Sequence, residues 1–121
     1  MSAAILVVDD DPSLVHMLKE YLQGEGYEVI ESFDGDTALK RARERRPALA
    51  IIDLNMPAMG GLRVLHSLRG SPDTSNIPAV VLTGEADRTV IQRLQGMARV
   101  QLLQKPVELE TLGALLRRLL V

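Results

Sequence analysis

The chain of 121 residues has no cysteine and no tryptophan. Without thiols there is no disulfide framework and no thiolate metal centre, so stability must come from a buried core. Aromatic residues are scarce. Tyr21, Tyr27 and Phe33 are the whole set, so that core has to be aliphatic. Neither sign of charge dominates: 16 Asp and Glu oppose 14 Lys and Arg, a net charge of −2. Such a balance argues against a chain built to coat nucleic acid or acidic lipid. Long apolar runs are missing too, none approaching the roughly 20 residues that span a bilayer. The first apolar stretch lacks a basic leader and ends in acid, so a secretory signal is not expected. What remains is the expectation of a soluble, cytoplasmic domain covering residues 1–121. Its 46% apolar and 25% charged residues are ordinary for a globular fold.

Against that background "AILVVDDDPS" stands out. An apolar run from Ala4 to Val8 leads directly into Asp9, Asp10 and Asp11. The run is short and partly β-branched, and reads as a buried strand. Asp11 before Pro12 reads as a helix N-cap with proline at the first helical position. The following helix carries Leu14, Leu18, Tyr21 and Leu22 on one side and ends near Gly24. "YEVIES" alternates like a strand with one wetter face, and Asp34 caps the helix "GDTALKRARERR". "LAIID" is a second apolar strand ending in acid. The loop "LNMPAMGG" leads to the helix "LRVLHSLR", and the turn-rich "GSPDTSN" follows. "PAVVLTG" reads as a strand, "ADRTVIQRLQGM" as a helix, "VQLLQ" as a strand and "ELETLGALLRRLL" as a last helix.

Strand and helix therefore alternate five times, the pattern of a parallel sheet with helices on both faces. The apolar character of the first, third, fourth and fifth strands predicts that all four are covered on both sides. The basic segment "KRARERR" reads as a solvated helix face interrupted by Glu44.

Ligands of open α/β sheets bind outside the carboxyl ends of the strands. There the sequence places Asp9 and Asp10, then Asp53, then Thr83, then Lys105 followed by Pro106. Three carboxylates and one ammonium leave an excess of negative charge, which must be hydrated, partly protonated or neutralised by a cation. Carboxylates without neighbouring His or Cys are hard oxygen ligands suited to Mg²⁺, which keeps several waters and bridges to phosphate. Lys105 then serves as a point charge for an anion, Thr83 as a hydrogen-bond donor to it, and an aspartate beside them as a nucleophile able to form an acyl phosphate. Each residue alone has a plainer reading as a cap, a turn former or a solvated side chain. Their joint placement at successive strand ends is what argues for a site. His16 and His66 fall in helices away from those ends and read as structural or solvated.

"ILVVDDDPS", "IIDLNMPAMGGL", "IPAVVLTG" and "QKP" together resemble the response-regulator receiver domains of two-component signalling, along nearly the whole chain. The resemblance implies a doubly wound, flavodoxin-like sheet of strand order 2-1-3-4-5 with five helices. It implies that Asp53 accepts a phosphoryl group from a phosphohistidine on a sensor histidine kinase or phosphotransfer protein. By the same resemblance Asp10, Asp53 and the backbone carbonyl of Asn55 hold Mg²⁺, with Asp9 contributing through water. Lys105 pairs with phosphoryl oxygens, Thr83 swings toward them, and the Lys105–Pro106 bond is cis. Asn55 and Glu85 are where the family tunes the rate of self-hydrolysis. The output is expected on the face of the fourth helix, fifth strand and fifth helix, toward a downstream protein, a fused effector domain or a second copy, without direct nucleic-acid or membrane binding. A stand-alone regulator and the receiver of a larger regulator or hybrid kinase both fit.

Three positions depart from the family pattern. Leu102 stands where the family usually has the Tyr or Phe that couples to the threonine, Val107 stands where Phe is common, and Gly60 replaces a usual acidic residue or Asn, a loop variation of small expected consequence. The last helix, with Leu109, Leu112, Leu115, Leu116, Leu119 and Leu120, has a wider apolar arc than an amphipathic helix needs. Two rival functions remain at this level. Asp9-x-Asp11-x-Ser13 after an apolar strand resembles the first motif of haloacid-dehalogenase-type phosphatases, although a second late acidic pair is missing. A pseudo-receiver, a binding scaffold with a dead site, would suit the missing aromatic.

Overall fold

The computed structural model describes residues 3–57, 60–84 and 88–120. Strands β1 (Ala4–Val8), β2 (Glu28–Ser32), β3 (Leu49–Asp53), β4 (Ala79–Thr83) and β5 (Val100–Gln104) alternate with helices α1 (Pro12–Gly24), α2 (Gly35–Arg45), α3 (Gly60–Arg69), α4 (Arg88–Gln95) and α5 (Leu109–Leu119). The five strands form one parallel sheet of order β2-β1-β3-β4-β5.

Alternation along each strand splits the core in two. Leu6, Val8, Ala50, Ile52, Ala79 and Val81 face α2, α3 and α4, which contribute Ala38, Leu39, Val64, Leu65, Leu68 and Leu94. Ile5, Val7, Leu49, Ile51, Val80 and Leu82 face the other way, onto Val15, Leu18 and Leu22 of α1 and Leu112 and Leu116 of α5. The aliphatic core inferred from the scarcity of rings is what packs.

Both aspartate caps act as the local sequence dictates. Asp11 accepts from the Ser13 amide at 3.0 Å, with Pro12 at the first helical position. Asp34 accepts from the Thr37 amide at 2.8 Å and from its hydroxyl at 3.0 Å. These hydrogen bonds, the amide first and the hydroxyl second, hold the Asp34 carboxyl below the usual carboxylate range. A folded-state pKa below the unfolded one stabilises above the unfolded pKa, and that contribution is lost as pH falls through the folded value. Asp34→Ala should therefore lower the melting temperature at pH 7. The deficit should shrink in thermal melts taken at progressively lower pH, as the wild-type cap protonates.

One expectation about the strands needs correction. β5 is not covered on both sides. Gln101 and Gln104 are exposed and Val100, Leu102 and Leu103 only half-buried, because β5 is an edge strand with β4 as its single neighbour. The basic side of α2 is exposed, as expected of a solvated face, and two of its arginines also reach the opposite edge. Arg41 donates to the Glu31 carbonyl, Arg45 pairs with Glu28, and Lys19 of α1 pairs with Glu31 at 2.9 Å. Charged pairs along β2 blunt an edge that would otherwise invite another strand. The helix limits also shift slightly. α3 starts at Gly60 rather than Leu62, α4 ends at Gln95 rather than Met97, and the expected start of α4 at Ala86 lies outside the described residues.

Within α5, Leu112 and Leu116 are buried, while Leu109, Leu115, Leu119 and Leu120 are half-buried against the α1 side of the sheet. The wide apolar arc is thus partly shielded by neighbours. A groove of about 550 Å³ remains between β5 and α5, with Leu102, Leu103 and Leu115 in its lining.

Candidate functional site

A parallel sheet points every carboxyl end the same way, so residues far apart in sequence meet at one edge. Asp9 follows β1, Asp53 ends β3, Thr83 ends β4 and Lys105 follows β5. Asp9 is 1% exposed and Asp53 3%, while Asp10 is open to solvent. Carboxylate oxygens of the three lie within 4.8 Å of one another. The Lys105 ammonium sits 3.2 Å from Asp9 Oδ2 and 3.3 Å from Asp53 Oδ1.

Backbone bonds hold these groups in place. The Asp9 amide donates to the Ser32 carbonyl at 3.1 Å, the Leu54 amide to Leu82 at 2.8 Å and the Lys105 amide to Thr83 at 2.8 Å. Asp9 Oδ1 accepts from the Asp11 amide at 3.0 Å, and Asp53 Oδ1 from the Asn55 amide at 3.2 Å.

Burial pushes the Asp9 carboxyl above its ordinary value. The Asp11 amide opposes that, Asp53 adds to it, and Lys105 opposes it. For Lys105, burial pulls the ammonium down, but the charges of Asp9 and Asp53 outweigh it and the group stays above its ordinary value. A protonated lysine thus bridges two buried carboxylates, and three carboxylates against one ammonium leave an excess of negative charge.

The Thr83 hydroxyl is buried and has no hydrogen-bond partner among the described residues. A buried hydroxyl left unpaired costs about 1–3 kcal/mol, and such exceptions in a native fold call for an explanation. Hard oxygen donors at one edge, an ammonium between them and the Thr83 hydroxyl at the end of the adjacent strand can hold a divalent cation and an oxyanion together.

The other sequence candidates fall into place around this cluster. Asn55 is exposed on the loop after β3, and Lys105–Pro106 is cis. Leu102 is half-buried on β5 opposite Val81, within the cluster that α4 covers. Glu85 lies outside the described residues. His16 is exposed and 3.3 Å from Glu20, and His66 is exposed on α3. Asp11, which a phosphatase would need as its acid–base partner, is exposed and occupied as the cap of α1.

Gly60 has a φ of +72°, in the left-handed region that glycine adopts freely and Asn or Asp tolerate, and a side chain there would meet open space. Sequence reasoning missed Met56, buried beneath the loop that follows β3, and Gly61, pressed against Asp53. The glycine pair itself was the available signal.

A doubly wound sheet of this order, with a lysine-bridged acidic cluster at its carboxyl edge, defines the receiver class. The family model for the response regulator receiver domain matches residues 5–117, and the chain belongs to that family. Its function is phosphorylation-dependent signalling in two-component systems. The chain is 46% identical over 87 residues to the DNA-binding response regulator MtrA of Mycolicibacterium smegmatis, covering 72% of this chain and 37% of that protein. It is 41% identical over 122 residues to the response regulator PleD of Caulobacter vibrioides, covering 98% of this chain and 26% of that protein. The chain thus spans well under half the length of either relative. Among solved structures, the chemotaxis protein CheY4 of Vibrio cholerae superposes with a TM-score of 0.90 at 34% identity, over 98% of this chain and 99% of that one. The family match removes the phosphatase alternative.

Proposed function

We propose that Asp53 is the phosphoryl acceptor of this receiver. The observation that carries the reading is the Lys105 ammonium held between buried Asp9 and Asp53, at the same strand edge as the Thr83 hydroxyl, which has no partner among the described residues. The residues present suit Mg²⁺. Asp10, Asp53 and the Asn55 backbone carbonyl would hold it, with Asp9 acting through water. When bound, the cation supplies charge neutralisation for the acceptor and for the incoming phosphoryl oxygens.

An Asp53 carboxylate oxygen attacks phosphorus in line. The new P–O bond forms as the P–N bond of a phosphohistidine breaks, and the electron pair leaves on the imidazole nitrogen. Phosphoryl transfer needs positioning and charge screening more than proton chemistry. Lys105 answers the charge on the phosphoryl oxygens, and the Thr83 hydroxyl donates a hydrogen bond to one of them. Water later hydrolyses the acyl phosphate and releases phosphate. Among the described residues the acidic cluster is crowded with like charge rather than furnished with a neutral base, so the reset is slow. Asn55 and Glu85 tune its rate.

The test is intact-mass measurement after treatment with acetyl phosphate and Mg²⁺. One phosphoryl group should appear and disappear with time. A protein that stays unlabelled while binding Mg²⁺ would instead be a pseudo-receiver.

Partners follow from the same reading: a histidine kinase or phosphotransfer protein as donor, and a downstream protein, fused effector or second copy as target. Readout runs from Thr83 toward α4, β5 and α5. Thr83 pairs with Gln104 in the sheet, and Leu102, two residues earlier, lines grooves on both sides of β5. Leucine is smaller than the family's aromatic ring and has no hydroxyl, but aliphatic packing can still shift when Thr83 moves. The natural protein should therefore show a muted response, with partner affinity or self-association changing by about 1–2 kcal/mol on activation. Leu102→Tyr should enlarge it without altering labelling of Asp53. Sedimentation or partner titration with and without beryllofluoride measures both. A large switch in the natural protein, unchanged by tyrosine, would place the readout elsewhere.

A further inference from the structure

Helix α3 begins against the back of the acceptor. A Cβ built on Gly61 would stand 2.0 Å from the Asp53 carbonyl oxygen, 2.7 Å from its carbon and 2.7 Å from Leu54 Cα. The obstructing atoms are backbone and cannot rotate away. The Gly61 amide also donates to the Leu54 carbonyl at 3.3 Å. On the other side of the acceptor segment, Met56 is buried in the aliphatic cluster that includes Ile52 of β3, Val64 of α3 and Val81 of β4. Leu54 and Asn55 run between these two anchors, and Asp53 immediately precedes them.

We propose that Gly61, with Met56 as the second anchor, is a positioning residue for the phosphoryl acceptor. The missing side chain lets the first turn of α3 rest directly on the Asp53–Leu54 peptide. That contact holds the Asp53 carboxylate and the Asn55 carbonyl where one cation can take both. The inference rests on the reading of Asp53 as acceptor. Neither residue touches the reacting atoms. The need for accuracy is chemical. A Cβ at this position would force the peptide back by about 1 Å, and an error of that size can cost about 100-fold in a reaction that depends on alignment.

The experiment compares Gly61→Ala, Met56→Ala and Gly113→Ala with the natural chain, using Mg²⁺ alone for affinity and acetyl phosphate for labelling rate. Circular dichroism and amide NMR identify the folded material. Gly113 is the control, because its Cβ would also meet an atom too closely, at 2.2 Å, but that atom is the Tyr21 hydroxyl between α1 and α5. Folded Gly61→Ala should bind Mg²⁺ at least about tenfold more weakly and label up to about 100-fold more slowly. Met56→Ala should move both quantities in the same direction by less, and Gly113→Ala neither.

Folded Gly61→Ala with natural affinity and rate overturns the proposal. An equal loss in Gly113→Ala also overturns it, because the effect would then be general loosening. If Gly61→Ala does not fold, Met56→Ala decides: natural affinity and rate in that folded variant overturn the proposal, and reduced values support it. Failure of the natural chain itself to bind Mg²⁺ or take label would instead remove the assignment of Asp53.

Discussion

Asp53→Asn is expected to remove phosphoryl uptake entirely while the fold survives. Asparagine keeps the volume of the side chain and an oxygen for the Asn55 amide that Asp53 Oδ1 accepts at 3.2 Å. It removes the negative charge and the nucleophilic oxygen, and an amide oxygen is too weak a nucleophile to form a stable phosphoryl adduct. Intact mass after acetyl phosphate and Mg²⁺ should show no adduct, and beryllofluoride should fail to bind. Stability without metal should hold or rise, because one of three clustered carboxylates is neutralised while the Lys105 ammonium keeps Asp9 at 3.2 Å. A phosphoryl adduct on the asparagine variant would name another acceptor, and peptide mapping would show which.

The second large effect is expected from Asp10→Ala. Asp10 is the exposed member of the acidic trio, so its loss should leave the core untouched. Removing even an outer partner of a metal ligand typically costs about 10–100-fold in affinity, so deleting a ligand should reach or pass the upper end of that range. Linkage makes this visible as stability. A ligand at about 100 times its Kd stabilises the native state by ~2.7 kcal/mol, so the natural protein should melt higher as Mg²⁺ is added and the variant should not. In metal-free buffer the order should reverse or vanish, since the variant has lost a repelling charge. Thermal melts over a Mg²⁺ series, paired with labelling, decide the matter. Normal phosphoryl uptake in Mg²⁺ by the alanine variant would remove Asp10 from the metal site.

The sequence by itself determined whatever depends on neighbours a few residues apart. Short apolar runs alternate with amphipathic stretches, and so the ten elements were legible, with errors of about two residues at helix ends. The Asp11 and Asp34 caps were legible because a cap bonds an amide two or three residues ahead. The site was legible too, because a parallel sheet sends every strand's carboxyl end to one edge, and Asp9, Asp53, Thr83 and Lys105 occupy those ends.

Only the tertiary structure decided what depends on which elements become neighbours. β5 was expected to be covered like the other strands, yet it lies half open at the edge of the sheet, with its two glutamines exposed. The arginines of α2 form the solvated face their sequence indicates, but that two of them also reach β2 depends on which strand lies beside the helix. Lys105 meets Asp9 across 96 positions of sequence, and composition gave only a charge excess, with no indication that one ammonium would span two buried carboxylates. The Thr83 hydroxyl, without a partner among the described residues, and the contact of Gly61 with the Asp53 carbonyl could not be read locally. An empty hydrogen-bonding shell and a missing Cβ become meaningful only once the packed surroundings say what each would have touched.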